Sequence, residues 1–286
     1  LVTSDSPTQR VGGEPLSKFT KVEHKNPMLS IDDVFSKEDI ENWEGYIKRL
    51  VPDEKLEYFC ELKIDGFAIG LIYKDGILAQ AGTRGNGKIG EDVTENIKTI
   101  ESIPLRLESY KYDKFHSSYR AGELEIRGEV YMDKKTFERI NRDQQKGGDK
   151  EYANPRNLAA GSVRQLDPKL TSSRNLKFLA YDIVGDIGQK KHSEEHEIAR
   201  LLGFDTDRLS KICNNLQEVF ELWQKVSKER DNLPYNIDGI VISINRNALF
   251  DKLGVAGKSP RGIRAFKFAP KQATTIVEDI KVHVGR

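Results

Sequence analysis

Residues 59–82 constrain the fold more than any other segment. Three strand-length apolar runs, 59–65, 68–73 and 77–82, are separated by Asp65-Gly66 and Asp75-Gly76. Asp-Gly pairs between such runs are strong turn signals, because both residues tolerate the positive φ that tight hairpins need. Alternating runs at 123–132, 176–184, 237–244 and 264–268 read as further strands. Helical spacing appears at 32–50, where Val34, Phe35, Ile40, Trp43, Ile47 and Leu50 recur every three or four residues. Helices are also predicted at 92–100, 134–145, 193–202 and 216–229. Strands meet strands while helices cluster between them. That is an α+β pattern with antiparallel sheets, not the regular βαβ alternation of a doubly wound sheet.

The chain has 286 residues, room for one large domain or two small ones. Residues 1–18 are rich in Ser, Pro, Gly and Thr and read as a linker or arm. Residues 273–284 alternate again and stop without a turn, and the chain opens on Leu1; both suggest a piece of something longer. No apolar run nears the roughly 18 residues of a membrane span, and residues 1–13 lack the apolar core of a signal peptide. Net charge is +1, from 46 Lys+Arg and 45 Asp+Glu, so any nucleic-acid contact must rest on a local patch. Two cysteines, Cys60 and Cys213, are too few for a disulfide framework or a four-cysteine zinc site and suit a reducing cytoplasm.

The chemistry centres on Glu61-Leu62-Lys63-Ile64-Asp65-Gly66. Alternation along a strand puts Glu61, Lys63 and Asp65 on one face and Cys60, Leu62 and Ile64 on the other. The apolar face goes to the core, leaving acid, amine, acid at a cleft mouth. An ammonium on a half-buried face is costly without compensation. The carboxylates offer one compensation. An amine nucleophile that spends part of its time neutral offers another. From this segment alone, a cross-strand ion pair on a solvated face competes on equal terms.

The remaining motifs shift that balance. Ser6-Pro7-Thr8-Gln9-Arg10-Val11-Gly12 and Pro27-Met28-Leu29-Ser30 precede the lysine strand. Thr83-Arg84-Gly85-Asn86-Gly87 and Gly90-Glu91-Asp92-Val93-Thr94 follow it. Then come Arg127-Gly128-Glu129, a long stretch from Asn154-Pro155-Arg156-Asn157 to Arg164-Gln165-Leu166-Asp167-Pro168, Ile237-Asp238-Gly239-Ile240-Val241, and Ala265-Phe266-Lys267-Phe268. In this order they resemble the bacterial NAD+-dependent DNA ligases along the whole chain. ATP-dependent ligases and capping enzymes share the lysine motifs but lack the stretch at 154–168.

The resemblance implies a nucleotidyltransferase (ATP-grasp-like) fold, antiparallel sheets flanked by helices around a nucleotide cleft. The adenylation domain would span 19–270, and 271–286 would begin an oligonucleotide-binding domain. Lys63 would attack the α-phosphorus of NAD+ to give lysyl-AMP. Lys267 is carried over as the phosphate contact, Arg84 as a ribose or phosphate contact, and Glu129 as acceptor of a ribose hydroxyl. Glu61 would meet the adenine amino group, and Ser30 and Ile31 would form the pocket wall. Asp65 and Asp238 would orient the amine or help hold Mg2+. Arg84 and Lys267 beside Lys63 would favour the neutral amine and stabilise charge building on phosphate. Arg156, Arg164 and Arg230 form a second tier suited to DNA phosphates. Each has a plainer reading: Arg84 as a solvated loop charge, Glu129 as a partner of Arg127, Asp238-Gly239 as a turn.

The chain departs from the pattern at Ser243, where the family usually has lysine, and at Phe268-Ala269-Pro270, where Pro more often follows the Phe directly. Arg246 is a candidate partial substitute for the missing cation. The family's helical subdomain that grips nicotinamide mononucleotide is expected ahead of Leu1, so this chain is expected to bind adenine nucleotide but to adenylylate itself from NAD+ poorly and to seal no nicks; zinc is expected only in a later domain. The longer protein is expected to act on nicked duplex DNA as a cytoplasmic monomer. His192-Ser193-Glu194-Glu195-His196 fits an H-x-x-E-H pattern, but no third ligand is evident in sequence, so no metal ligand is assigned. An ATP-dependent nucleotidyltransferase and a catalytically silent nucleotide-binding module remain as alternatives.

Overall fold

In the computed structural model, residues 3, 5–11, 18–108, 122–269 and 276–280 are described. In chain order the elements are β1 (Lys21–Glu23), β2 (Asp33–Val34), α1 (Lys37–Leu50), β3 (Tyr58–Ile64), β4 (Phe67–Lys74), β5 (Ile77–Thr83), β6 (Ile89–Glu91) and α2 (Thr94–Ile97). Then follow β7 (Glu123–Tyr131), α3 (Lys134–Gly147), α4 (Pro155–Val163), α5 (Pro168–Ser173), β8 (Lys177–Val184), α6 (His192–Leu201) and β9 (Lys211–Cys213). The chain continues through α7 (Leu216–Glu229), β10 (Ile237–Ile244), α8 (Asn247–Leu253), β11 (Val255–Ala256), β12 (Ser259–Pro260) and β13 (Ile263–Lys267).

The two Asp-Gly pairs do different work. Asp75-Gly76 closes the β4–β5 hairpin with Lys74 opposite Ile77, both turn residues at positive φ (49° and 75°), as a two-residue turn requires. Asp65-Gly66 is not a hairpin. Strand β3 belongs to a five-stranded sheet, β2-β13-β10-β3-β9, whereas β4 belongs to a four-stranded one, β5-β4-β7-β8. The chain thus crosses between sheets immediately after Lys63. Only glycine serves at 66, because a Cβ there would lie 2.4 Å from the Val130 carbonyl oxygen and 2.7 Å from Glu129 Cγ.

Each sheet has its own core. Ile69, Leu71, Ile126, Val130 and Phe178 of the four-stranded sheet pack with Ile97, Leu158, Ile198 and Leu202. Cys60, Leu62, Ile240, Ile242 and Phe266 of the five-stranded sheet pack with Ile40, Trp43, Ile47, Val219 and Phe220. The expected inward face of the lysine strand is therefore the observed one.

Three sequence expectations are adjusted. The helix expected from 32 starts at Lys37, because Ser36 and Asp39 form a capping box: Ser36 Oγ accepts from Asp39 N and Asp39 Oδ2 accepts from Ser36 N, each at 3.0 Å. Asp33 and Val34 pair instead with β13 in parallel. The helix expected over 92–100 shrinks to Thr94–Ile97, since Val93 N is used by the Ala81 carbonyl and Asp92 Oδ1 takes Thr94 N. The strand expected over 273–284 lies largely outside the described residues, and residues 276–280 have no regular structure. In the arm, Pro7–Val11 form a short 3-10 turn, and Arg10 donates to the carbonyls of Ile100 and Ile103 at 2.8 Å each. Among the described residues no helix is long and apolar enough to cross a membrane.

Candidate functional site

The two sheets face each other across a cleft of about 1760 Å³. Strands β3, β10 and β13 supply one wall, and β4, β7 and β8 the other. Ser30, Ile31, Glu61, Lys63, Arg84, Glu129 and Lys267 all line it, as do Arg156 and Arg164. Asp65, Asp238 and Arg230 do not. Arg230 lies instead over the Phe268 ring, 5.0 Å from its centroid.

The lysines are brought together by register. Gly239 on β10 sits opposite both Lys63 on β3 and Lys267 on β13. A Cβ at 239 would lie 2.2 Å from the Phe266 carbonyl oxygen, so the three strands approach this closely only around glycine. Between Ile237 and Gly239 the pairing with β3 slips by one residue. Such an extra residue bends the strand and re-aims its side chain. The extra residue is Asp238, which stands behind both lysines: Oδ1 is 3.9 Å from Lys63 Nζ and Oδ2 is 3.4 Å from Lys267 Nζ. Lys267 also meets Asp33 Oδ2 at 2.8 Å. Burial works against its charge, but Asp33 and Asp238 outweigh burial and raise its pKa above the usual lysine range. Asp65 is taken by Arg156, 3.0 Å away. Both expected acids thus lie beside cations.

Glu129 faces the amine from the other sheet. It does not pair with Arg127, whose Nε donates to Glu125 Oε1 at 2.7 Å. Burial drives the Glu129 carboxyl up to about 7; Lys63 and Arg156 pull it back only in part, and Asp65 pushes it further. Arg127 has a structural task as well. It donates to the carbonyls of Asn26 (2.6 Å) and Pro27 (3.3 Å), and Met28 N donates to Gly87 O at 2.8 Å. These bonds carry the chain to Ser30 and Ile31 at the cleft wall.

Glu61 is buried beside His192 and His196 of α6. Burial disfavours its charge, but the two imidazoles outweigh burial and hold the carboxyl down at about 2. His192, Glu195, Tyr181 and Asp182 line the cleft next to it. Sequence reasoning did not place them there. The H-x-x-E-H pattern was the one visible signal for His192 and Glu195, and nothing linked it to the strand that carries Glu61. Ser243 is buried, lines the cleft and lies opposite Phe59 in the β3–β10 register. Arg246, the candidate substitute cation, is ion-paired with Glu54.

Residues 16–271 match the family described as the NAD-dependent DNA ligase adenylation domain. The chain belongs to that family. It is 46% identical over 288 residues to a DNA ligase of Halothermothrix orenii, covering 100% of this chain and 41% of the relative. To a DNA ligase of Koribacter versatilis it is 43% identical, covering 100% and 42%. This adenylation domain thus spans about two fifths of the length of these relatives. An ATP-dependent DNA ligase of bacteriophage T7 in complex with ATP aligns at TM-score 0.42 and 14% identity, over 85% of this chain and 68% of that one. A mycobacterial DNA ligase D with ATP and MES aligns at 0.40 and 11%, over 74% and 54%. At those scores the two likenesses carry no argument. The matching family is the NAD-dependent one and is described as an adenylation domain.

Proposed function

We propose that this chain is the nucleotide-transferring core of an NAD+-dependent DNA ligase, with Lys63 as nucleophile. The observation that supports it most is the convergence of Lys63, Lys267 and Glu129 from two sheets on one cleft, with Asp238 behind both lysines. Lys63 Nζ, once neutral, attacks the α-phosphorus of NAD+. The N–P bond forms, the pyrophosphate P–O bond breaks, and nicotinamide mononucleotide leaves with that oxygen. Lys267 offers its ammonium to the phosphate, where charge builds in the transition state. Asp238 and Asp33 keep it protonated and in place. Glu129 accepts a ribose hydroxyl, Arg84 contacts ribose or phosphate, Glu61 meets the adenine amino group, and Ser30 and Ile31 wall the pocket. Asp65 positions Arg156. Mg2+, as an accessory to the reaction, would bind the nucleotide phosphates and offset their charge.

Residues 19–270 form the adenylation unit in this reading, and 271–286 begin a following domain. In the longer protein the adenylate goes to a nicked duplex, whose phosphates meet Arg156 and Arg164. The protein works as a cytoplasmic monomer.

The test of the NAD+ assignment is label transfer. The chain is incubated with Mg2+ and either NAD+ labelled in its adenylate or ATP labelled at the α-phosphate. Label from NAD+ in preference to ATP is expected. Preference for ATP would overturn the assignment.

A further inference from the structure

Glu61 needs its charge to do what the adenine reading asks of it. A carboxylate can only accept, which suits a 6-amino group. The neutral acid also donates, and would bond the oxygen of a 6-oxopurine as well. Burial favours the neutral acid. Glu129, on the opposite wall, shows the outcome where cations offset burial only in part: its carboxyl stands at about 7. Glu61 is buried too, yet the imidazoles of His196 and His192 outweigh burial and hold its carboxyl at about 2. The difference between the two walls lies in α6.

We propose that His192 and His196 are positioning residues for the base: they keep Glu61 an acceptor only, and so make the cleft select a 6-aminopurine over a 6-oxopurine. The inference rests on the reading of Glu61 as partner of the adenine amino group. The geometry divides the work between the two carboxylate oxygens. His196 Nε2 lies 3.0 Å from Oε2 and fixes it. His192 Nε2 lies 3.8 Å from Oε1, inside ion-pair range but beyond a hydrogen bond. Oε1 thus gains a nearby positive charge that does not occupy it. Glu61 and His192 line the cleft, whereas His196, buried, does not.

Strand and helix both fix the arrangement. Phe59 and Glu61 are two residues apart on β3 and share a face, and His192 and His196 are one turn apart on α6. The Phe59 ring meets both imidazoles edge-on, with centroids 5.3 and 4.7 Å away, which sets the spacing between helix and strand. Charged groups on every neighbouring element bear on the cluster. On α6, Glu195 Oε2 is 2.8 Å from His192 Nδ1, and Asn247 of α8 donates to Glu195 Oε1 at 2.6 Å. On β8, Asp182 faces His192 and Tyr181 bears on Glu61, with Arg127 of β7 4.0 Å from Asp182. Asp207, ahead of β9, accepts from Leu62 N at 2.8 Å and bears on Glu61 and His196. Burial disfavours the His192 imidazolium, but Glu195 and Glu61 outweigh burial and raise its pKa well above the usual histidine range. A buried ion-pair cluster often stabilises a fold no better than apolar side chains of similar size, so packing alone does not call for one at a nucleotide cleft.

The test is calorimetric titration of the nucleotide-free chain with AMP and with inosine monophosphate, its 6-oxo counterpart. The two share ribose and phosphate, so titration of Glu129 and of the phosphate cancels in the ratio of their affinities. The parent should prefer AMP by about 100-fold, the scale of a hydrogen bond to a charged group, at both pH 6 and pH 8. In His192→Leu/His196→Leu the preference should fall to about tenfold or less at pH 6 and recover in part at pH 8, as the unsupported carboxyl ionises. The single variants keep one imidazole beside Glu61 and should each show part of the loss. Damage to the fold would weaken both nucleotides alike and leave the ratio unchanged. Glu61→Gln, whose amide both donates and accepts, should lose the preference with both histidines in place. If the histidine variants keep the parent's ratio at both pH values while Glu61→Gln loses it, the role of the histidines is overturned and the Glu61 contact stands. A ratio unchanged in Glu61→Gln would remove Glu61 from the base and the inference with it.

Discussion

Glu129 is predicted to destabilise the unliganded fold at neutral and alkaline pH, and Glu129→Gln to relieve that cost. Its carboxyl is moved from 4.5 up to about 7 by burial at the cleft wall. Between those two values the folded chain holds a proton that the unfolded chain has released. Stability therefore falls as pH rises through the window from 4.5 to about 7, and is level above it. A displacement of this size is worth at most about 3 kcal/mol. Cleft water screens the half-buried carboxylate, so about 1–2 kcal/mol is expected. Glutamine keeps the shape and cannot ionise. The assay is urea unfolding of parent and variant followed by the fluorescence of Trp43 and Trp223, at about pH 5 and about pH 8.5. The variant's advantage should be small at the lower pH and grow toward the full value at the higher one. The same variant should slow AMP transfer, because a neutral amide oxygen accepts the ribose hydroxyl more weakly than a carboxylate does: more stable, less active. An advantage that does not change with pH, or a variant less stable than the parent at pH 8.5, would refute the burial argument.

Other outcomes follow from the same geometry. Lys267→Ala should lower single-turnover AMP transfer by about 100-fold or more, the scale of losing a positioned charge at developing anionic oxygen; a change below tenfold would remove Lys267 from the phosphate. Gly239→Ala should cost about 1–3 kcal/mol, since its Cβ has no room against the Phe266 carbonyl; an unchanged urea midpoint would show that β13 can move. Ser243→Lys restores a cation at the cleft wall two residues from Val241, which faces Glu61 across the β3–β10 pair. It should raise the rate of AMP transfer, and an unchanged single-turnover rate would show that this position is not limiting.

Local patterns were legible wherever one face of an element meets a core. Alternation placed β10 over Ile237–Ile244, and helical spacing placed α7 over Leu216–Glu229, both with the bounds observed. Alternation also sorted Cys60 and Leu62 inward and Glu61 and Lys63 toward the cleft. What sequence hid was pairing over distance. Asp65-Gly66 has the composition of a hairpin turn, yet the side chains beyond it belong to another core, so the chain changes sheets there. Helices α4 and α5 were not predicted, although their starts carry signals: Asn154 and Asp167 cap them, accepting from Asn157 N and Lys169 N, and proline follows each cap. The site shows the same division. Motif order brought Lys63, Glu129 and Lys267 to one cleft, but that Asp238 stands on a bulge behind two lysines, and that Glu61 meets a histidine pair from α6, depends on tertiary packing.

The central claim is that Lys63 carries the adenylate. Its most direct test is the intact mass of the purified chain before and after incubation with Mg2+ and NAD+, followed by peptide mapping of any adduct. The account predicts a gain of one AMP, located on Lys63 and absent from Lys63→Ala. An adduct on another residue, or one that persists in Lys63→Ala, would contradict it.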